Sequence, residues 1–194
     1  LFSLFNDKAY KFTEGRINQT IARSAEKTIW FHCASLGEFE QAKPLITWCY
    51  NNLNEPIILT FFSPSGYLYK NNYPLARAVY YLPIDQPQQA KQFIEHINPS
   101  LVFFIKYEFW YFYLNELKQQ KIPHFLVAGI FRKEQLFFKS LGALHREMLA
   151  SFDHVFVQDE ASLQLLQANN FMNSSIAFDP RFDSVKHISA LNFQ

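Results

Sequence analysis

Seven short apolar runs recur along the chain, at residues 29–34, 56–62, 78–82, 101–105, 125–130, 155–157 and, more weakly, 175–177. Between most of them lie segments of helical length, at 38–53, 65–71, 86–97, 109–120, 135–150 and 160–168. The runs are continuous rather than alternating, which is how strands covered on both faces read. Strands that alternate with helices imply right-handed crossovers and a mostly parallel sheet. The pattern therefore predicts one α/β, Rossmann-like domain of about seven strands, with no internal repeat and no Gly/Ser linker. Pro44, Pro56, Pro83, Pro87, Pro99 and Pro123 fall mostly at or near element starts, where a missing N–H costs little.

In such a sheet the C-terminal strand ends converge on one edge, where open α/β sheets take their ligands. Each run leaves into a polar or glycine-bearing turn. The exits carry Ser35, Gly37 and Glu38; then Ser63, Pro64, Ser65 and Gly66; then Asp85; then Lys106 and Glu108; then Gly129 and Arg132; then Gln158, Asp159 and Glu160; then Asp179, Arg181 and Asp183. A rim of hydroxyls, carboxylates, one Lys and two Arg suits a polar, anionic substrate.

Each motif has a structural reading beside the functional one. Ser35 and Glu38 have the spacing of a capping box. Alternatively, Gly37 lets a ligand approach the backbone and Glu38, in the first turn, works as a general base. The helix dipole alone would lower the Glu38 pKa, so either burial offsets it or the carboxylate works already ionised. Ser63-Pro64-Ser65-Gly66 lacks the residues of a P-loop; it reads as a turn and N-cap, or as a cradle for phosphate or sugar hydroxyls. Lys106 and Glu108 read as an ion pair, or Glu108 as a second catalytic carboxylate with Trp110 beside it. In the stretch 131–152, Leu136, Phe137, Leu141, Leu144, Met148 and Leu149 recur near helical spacing, with Arg132, Lys133, Lys139 and Arg146 adding charge. Such a stripe faces a core, or lies basic side down on anionic lipid.

Composition narrows these readings. With 49% apolar residues in 194, the chain can bury a full core, and 22 Phe against 5 Gly make that core aromatic. A net charge of +1 exerts no global pull on nucleic acid, so no nucleic-acid partner is expected. Cys33 and Cys49 fit neither a redox nor a metal motif, and the six His lack ligand spacing; no metal and no cofactor is expected. No apolar run reaches the roughly 18 residues of a membrane span. Residues 1–27 are expected to form a lead-in helix, with a membrane-proximal amphipathic segment as the alternative. The chain opens at Leu1 without Met and is expected to be a fragment of a longer protein, with a membrane anchor one form its missing N-terminus could take.

The order H-x-x-S-L-G-E, T-F-F-S-P-S-G-Y, L-P-I-D, E-F-W, G-I-F-R…F-F-K, V-Q-D-E-A-S and D-P-R-F-D resembles the 3-deoxy-D-manno-octulosonic acid (Kdo) transferases, most of all their Bacteroidetes branch. The resemblance covers about residues 28–187. It implies the N-terminal, acceptor-binding half of a GT-B glycosyltransferase, with residues 188–194 opening the linker to a donor domain. It also implies metal-free, inverting transfer of Kdo from CMP-Kdo to the lipid A precursor, lipid IVA, in lipopolysaccharide synthesis. The implied place is the cytoplasmic face of the bacterial inner membrane, and the chain alone is expected to be inactive. By the match, Glu38 is the general base and Glu108 a second required carboxylate. Ser35, Gly37, Ser63, Ser65, Gly66, Lys106 and Arg132 are the expected acceptor contacts. Three positions depart from the family pattern: Lys106 replaces a carboxylate, Tyr111 a proline and Phe178 a glycine. Two other readings fit the rim: a non-catalytic Rossmann-like module for a phosphorylated or nucleotide ligand, and a GT-B enzyme with another acceptor.

Overall fold

The structure is a computed structural model that describes residues 15–16 and 18–177. Seven strands form one sheet: β1 Thr28–Cys33, β2 Ile57–Phe61, β3 Ala78–Tyr81, β4 Pro99–Ile105, β5 His124–Gly129, β6 His154–Val157 and β7 Ser174–Ile176. Six helices connect them: α1 Leu36–Asn52, α2 Pro64–Lys70, α3 Pro87–Ile97, α4 Tyr111–Gln119, α5 Ala143–Ser151 and α6 Glu160–Ala168. All neighbouring strands are parallel, in the order β3-β2-β1-β4-β5-β6-β7. This is the Rossmann-like sheet of about seven strands that the apolar runs predict.

β1, β2 and β5 are buried at every position, which is why their sequences do not alternate. The alternation survives in where side chains go. Ile29, Phe31 and Cys33 pack with Leu101, Phe103 and Ile105 against Phe39, Ala42, Leu45, Ile46 and Cys49 of α1. On the other face, Trp30, Val102 and Phe104 pack against Ala90, Phe93, Ile94 and Ile97 of α3 and against Tyr113, Leu114 and Leu117 of α4. Trp30 sits 5.3 Å from Phe93 and 5.4 Å from Phe104, edge to face. Such pairs add about 0.5–1.5 kcal/mol beyond burial, so the aromatic excess is spent here.

The expected helix over 135–150 is two pieces, a 3-10 turn at Leu136–Phe138 and α5. Gly142 makes the break. A Cβ there would lie 1.7 Å from the Leu136 carbonyl oxygen, so only glycine closes this corner. Arg146 clasps it, donating to the Phe137 and Lys139 carbonyls at 3.2 and 2.6 Å. α4 begins at Tyr111 rather than 109, leaving Phe109 and Trp110 in the turn after β4. Of the expected lead-in helix, residues 1–14 lie outside the described residues, as do Phe178, Asp179, Arg181, Asp183 and 184–194. Arg16 is described and buried; its Nε donates to the Leu82 carbonyl at 3.1 Å and a second nitrogen bonds the Phe62 carbonyl.

The order places β1 between β2 and β4, so the winding reverses between β1 and β4. In open α/β sheets that reversal opens the ligand crevice beyond the C-terminal strand ends. The turns that leave β1 and β4 carry Glu38 and Glu108.

Candidate active site

Ser35 is the N-cap of α1, in extended backbone, and its N–H donates to Glu38 Oε2 at 2.9 Å. The capping box is therefore real. Glu38 is nonetheless only half-buried. Burial raises its pKa above the ordinary 4.5, and the nearby negative charge of Glu108 raises it further. The Ser35 and Ala34 backbone hydrogen bonds and His32 oppose that shift without reversing it. The dipole argument would have lowered it; desolvation wins.

Glu108 is 8% exposed and held from two sides. Its Oε2 lies 2.9 Å from His32 Nε2 and accepts from Trp110 Nε1 at 2.8 Å. His32, wholly buried, places Nδ1 2.8 Å from Thr60 Oγ1, which also accepts from Trp30 Nε1 at 2.8 Å. Strand pairing builds this row, because His32 is the Cα partner of Thr60 on β2 and of Phe104 on β4. The expected Lys106–Glu108 ion pair does not form; the partner of Glu108 is His32. Lys106 is half-buried with φ 67°, a left-handed backbone that a lysine adopts only at a cost.

Other rim residues are spent on structure. Ser63 caps α2, accepting from the Gly66 N–H at 3.2 Å, and its Oγ meets Ser65 Oγ at 3.0 Å. Gly66 is buried, and a Cβ on it would lie 2.4 Å from the Phe61 ring. Asp85 caps α4 by accepting from the Phe112 and Tyr113 N–H groups at 3.0 and 3.3 Å. Asp159 caps α6, accepting from the Ser162 N–H at 2.7 Å. Arg132 is exposed, beside exposed Lys133. Gly37 is exposed too, and a Cβ there would meet nothing closer than Ser35 Oγ at 3.9 Å. What the crevice gathers is two partly engaged carboxylates, one lysine and an open glycine.

Cavities of about 400 and 440 Å³ lie elsewhere. The first is lined by Arg16, Gln19, Ile84, Gln92, Phe93 and His96, the second by Glu26, Tyr50, Glu55 and Arg77 at the opposite strand ends. The first gathers no carboxylate, and in the second, at the far strand ends, Glu26 is paired with Arg77, so the site is placed by chemistry and topology rather than volume. Among the described residues, no three His, Cys, Asp or Glu side chains come together as a metal-binding group. The sequence reading missed the Trp30–Thr60–His32 row. Its signal was a histidine inside a strand covered on both faces, where a polar ring needs a partner.

The sequence profile described as 3-deoxy-D-manno-octulosonic-acid transferase matches residues 10–184. The chain belongs to the Kdo transferase family. A Kdo transferase of Chlamydia trachomatis serovar D is 28% identical over 158 residues, covering 78% of this chain and 35% of that protein. One from Haemophilus influenzae is 33% identical over 105 residues, 52% of this chain and 24% of that protein. A bifunctional glycosyltransferase/methyltransferase of Fusobacterium nucleatum is 24% identical over 159 residues, 79% of this chain and 25% of that protein. The chain thus spans a quarter to about a third of the length of these relatives. Among solved structures, UDP-GlcNAc 2-epimerase from Neisseria meningitidis, crystallised with UDP-GlcNAc, superposes with a TM-score of 0.58 at 15% identity. That match covers 85% of this chain and 50% of the epimerase chain, and shows a shared fold.

Proposed function

We propose that this Kdo transferase chain is the acceptor-binding half of a GT-B enzyme that moves Kdo from CMP-Kdo to a lipid A precursor. The observation that carries the reading is the meeting of Glu38 and Glu108 at the winding reversal of the sheet. Inverting transfer needs one base on the acceptor side, held by a rigid element. Glu38 fills that role: it is fixed on the first turn of α1, half-open, and more basic than an ordinary glutamate. It takes the proton of the acceptor hydroxyl as that oxygen bonds to the anomeric carbon of Kdo and CMP departs with the bonding pair. The side chain supplies the base itself, so the step calls for no metal. The Gly37 backbone, Lys106 and Arg132 are the proposed contacts of a phosphorylated sugar, and the Ser63 and Ser65 hydroxyls would join them beside their capping role. Gly66 contributes the backbone of the same turn.

The loop after β5 supports a place at the cytoplasmic face of the inner membrane. Leu141 is 91% exposed, and Leu136 and Leu144 are exposed beside Arg132, Lys133 and Lys139. An apolar and basic rim of this kind suits an anionic lipid surface.

The test is transfer by the full-length gene product with CMP-Kdo and lipid IVA. Glu38→Gln should lower kcat by about 10²–10⁴-fold, the usual worth of a general base. Because the Glu38 pKa is raised, transfer in the native enzyme should fall off on the acid side above pH 4.5, the ordinary glutamate value. Undiminished transfer by Glu38→Gln overturns the mechanism. Tight binding of another phosphorylated ligand, with no transfer by the native enzyme, overturns the function.

A further inference from the structure

We propose that His32 is a positioning residue, which fixes which oxygen of Glu108 faces the acceptor. The inference rests on the proposed transferase reading and assigns a role to a residue that does not itself reach the crevice.

The hydrogen bonds along the row have one consistent direction. Trp30 Nε1–H donates to Thr60 Oγ1 at 2.8 Å. Thr60 has two acceptors in reach, His32 Nδ1 at 2.8 Å and the Phe31 carbonyl at 3.3 Å, and the shorter is the ring nitrogen. His32 then carries its proton on Nε2 and donates to Glu108 Oε2 at 2.9 Å. Trp110 Nε1–H supplies the second donor to the same oxygen at 2.8 Å. Every donor finds an acceptor, so the row has no frustrated member.

Two donors, buried His32 and half-buried Trp110, engage Glu108 Oε2. Its other oxygen, Oε1, takes no hydrogen bond among the described residues. A carboxylate pinned by one oxygen presents the other in a single direction. The ring cannot yield, since it is fully buried and lies edge-on to Phe104 at 5.9 Å and to Trp110 at 5.8 Å. Oε1 therefore serves as a fixed hydrogen-bond acceptor for an acceptor-sugar hydroxyl. It orients that sugar while Glu38 removes the proton. The division of labour follows from geometry: Glu108 has one oxygen tied down by two side-chain donors, whereas Glu38 is held only by backbone hydrogen bonds, at Ser35 and Ala34.

Three substitutions separate positioning from packing. A glutamine amide reaches the place of His Nε2, an asparagine amide only that of Nδ1, and phenylalanine keeps the ring and neither nitrogen. In the full-length gene product, His32→Gln should keep kcat within about threefold of native, while His32→Asn and His32→Phe should lose about 10–100-fold, the scale of a displaced reacting group. The KM for CMP-Kdo should stay unchanged in all three. In a Glu108→Gln background His32→Asn should cost nothing further, because the effect passes through Glu108. The indole N–H resonance of Trp110 provides a readout independent of activity: it should move in His32→Asn and hold in His32→Gln. Glutamine losing as much as asparagine, or asparagine matching native kcat, overturns the proposal. If His32→Phe does not fold, the Gln/Asn pair decides. If the native enzyme transfers no Kdo, the functional reading fails by itself; the Trp110 resonance then decides, and one that stays put in His32→Asn overturns the role of His32.

Discussion

At Glu38 two demands meet on one carboxylate. It closes the first turn of α1 by accepting the Ser35 N–H, and the proposed chemistry asks the same group to take a proton. The two coexist because the cap engages Glu38 only through backbone hydrogen bonds, at Ser35 and Ala34, and because half-burial beside Glu108 raises its basicity. The capping and catalytic readings of the sequence were not rivals. Lys106 shows the opposite economy. Its left-handed backbone, φ 67°, costs a residue with a Cβ roughly 1–2 kcal/mol, set against the hydrogen bond from its N–H to the Val127 carbonyl at 2.8 Å. Strain of this kind gathers at functional sites. Lys106→Gly should raise the unfolding free energy by about 1 kcal/mol in denaturant titration while weakening binding of an anionic acceptor. A loss of stability would show that no strain is stored there. The conformation itself could not be read from the sequence, since no residue type in K-Y-E-F-W announces a positive φ.

Among the elements, strands were the more legible. Apolar runs marked the strands to within two residues at each end, weakly for β7, and β1, β2 and β5, buried at every position, show why the runs are continuous. Helix 135–150 was misjudged, since the periodic Leu and Phe continue past a corner that backbone contact imposes at Gly142. The glycines at the helix starts after β1 and β2 differ in the same hidden way. Gly37 faces open space, whereas a Cβ at Gly66 would press the Phe61 ring inside the core. Gly37→Ala should hold or raise the melting temperature, as alanine favours a helix by up to about 1 kcal/mol over glycine. Gly66→Ala should destabilise by about 1–3 kcal/mol through overpacking. Thermal unfolding of both variants checks the contrast. A Gly37→Ala protein that is stable yet loses transfer would locate the ligand against that backbone.

For the whole molecule, acid sensitivity has an identifiable source far from the crevice. His124 begins β5, 2% exposed, with Nδ1 donating to the Ile122 carbonyl at 2.8 Å. Burial lowers its pKa below the usual 6.5; the Ile122 and Ser151 carbonyls and Asp153, 3.6 Å away, oppose this incompletely, and Lys118 adds to it. The folded state therefore resists a proton that the unfolded chain accepts. Its stabilising contribution is complete above pH 6.5 and declines as pH falls below it. His124→Leu should be less stable at neutral pH. Its stability should also decline less between pH 7.5 and 5, where one titrating group changes the slope by at most about 1.4 kcal/mol per pH unit. Equal slopes for both proteins would rule out His124 as the source.

The pairing of His32 with Thr60 carries a consequence for folding as well as for chemistry. A strand displaced by one residue turns every side chain to the opposite layer. β1 moved by one place against β2 would send the imidazole into the aliphatic wall of α1 and leave the Glu108 carboxylate without its inner donor. The hydrophobic pattern tolerates such a slip better than most, since both layers are greasy. A polar couple buried in the middle of the sheet is then a registration mark: the same contact that aims a carboxylate at a sugar also tells two nearly featureless strands where to stop.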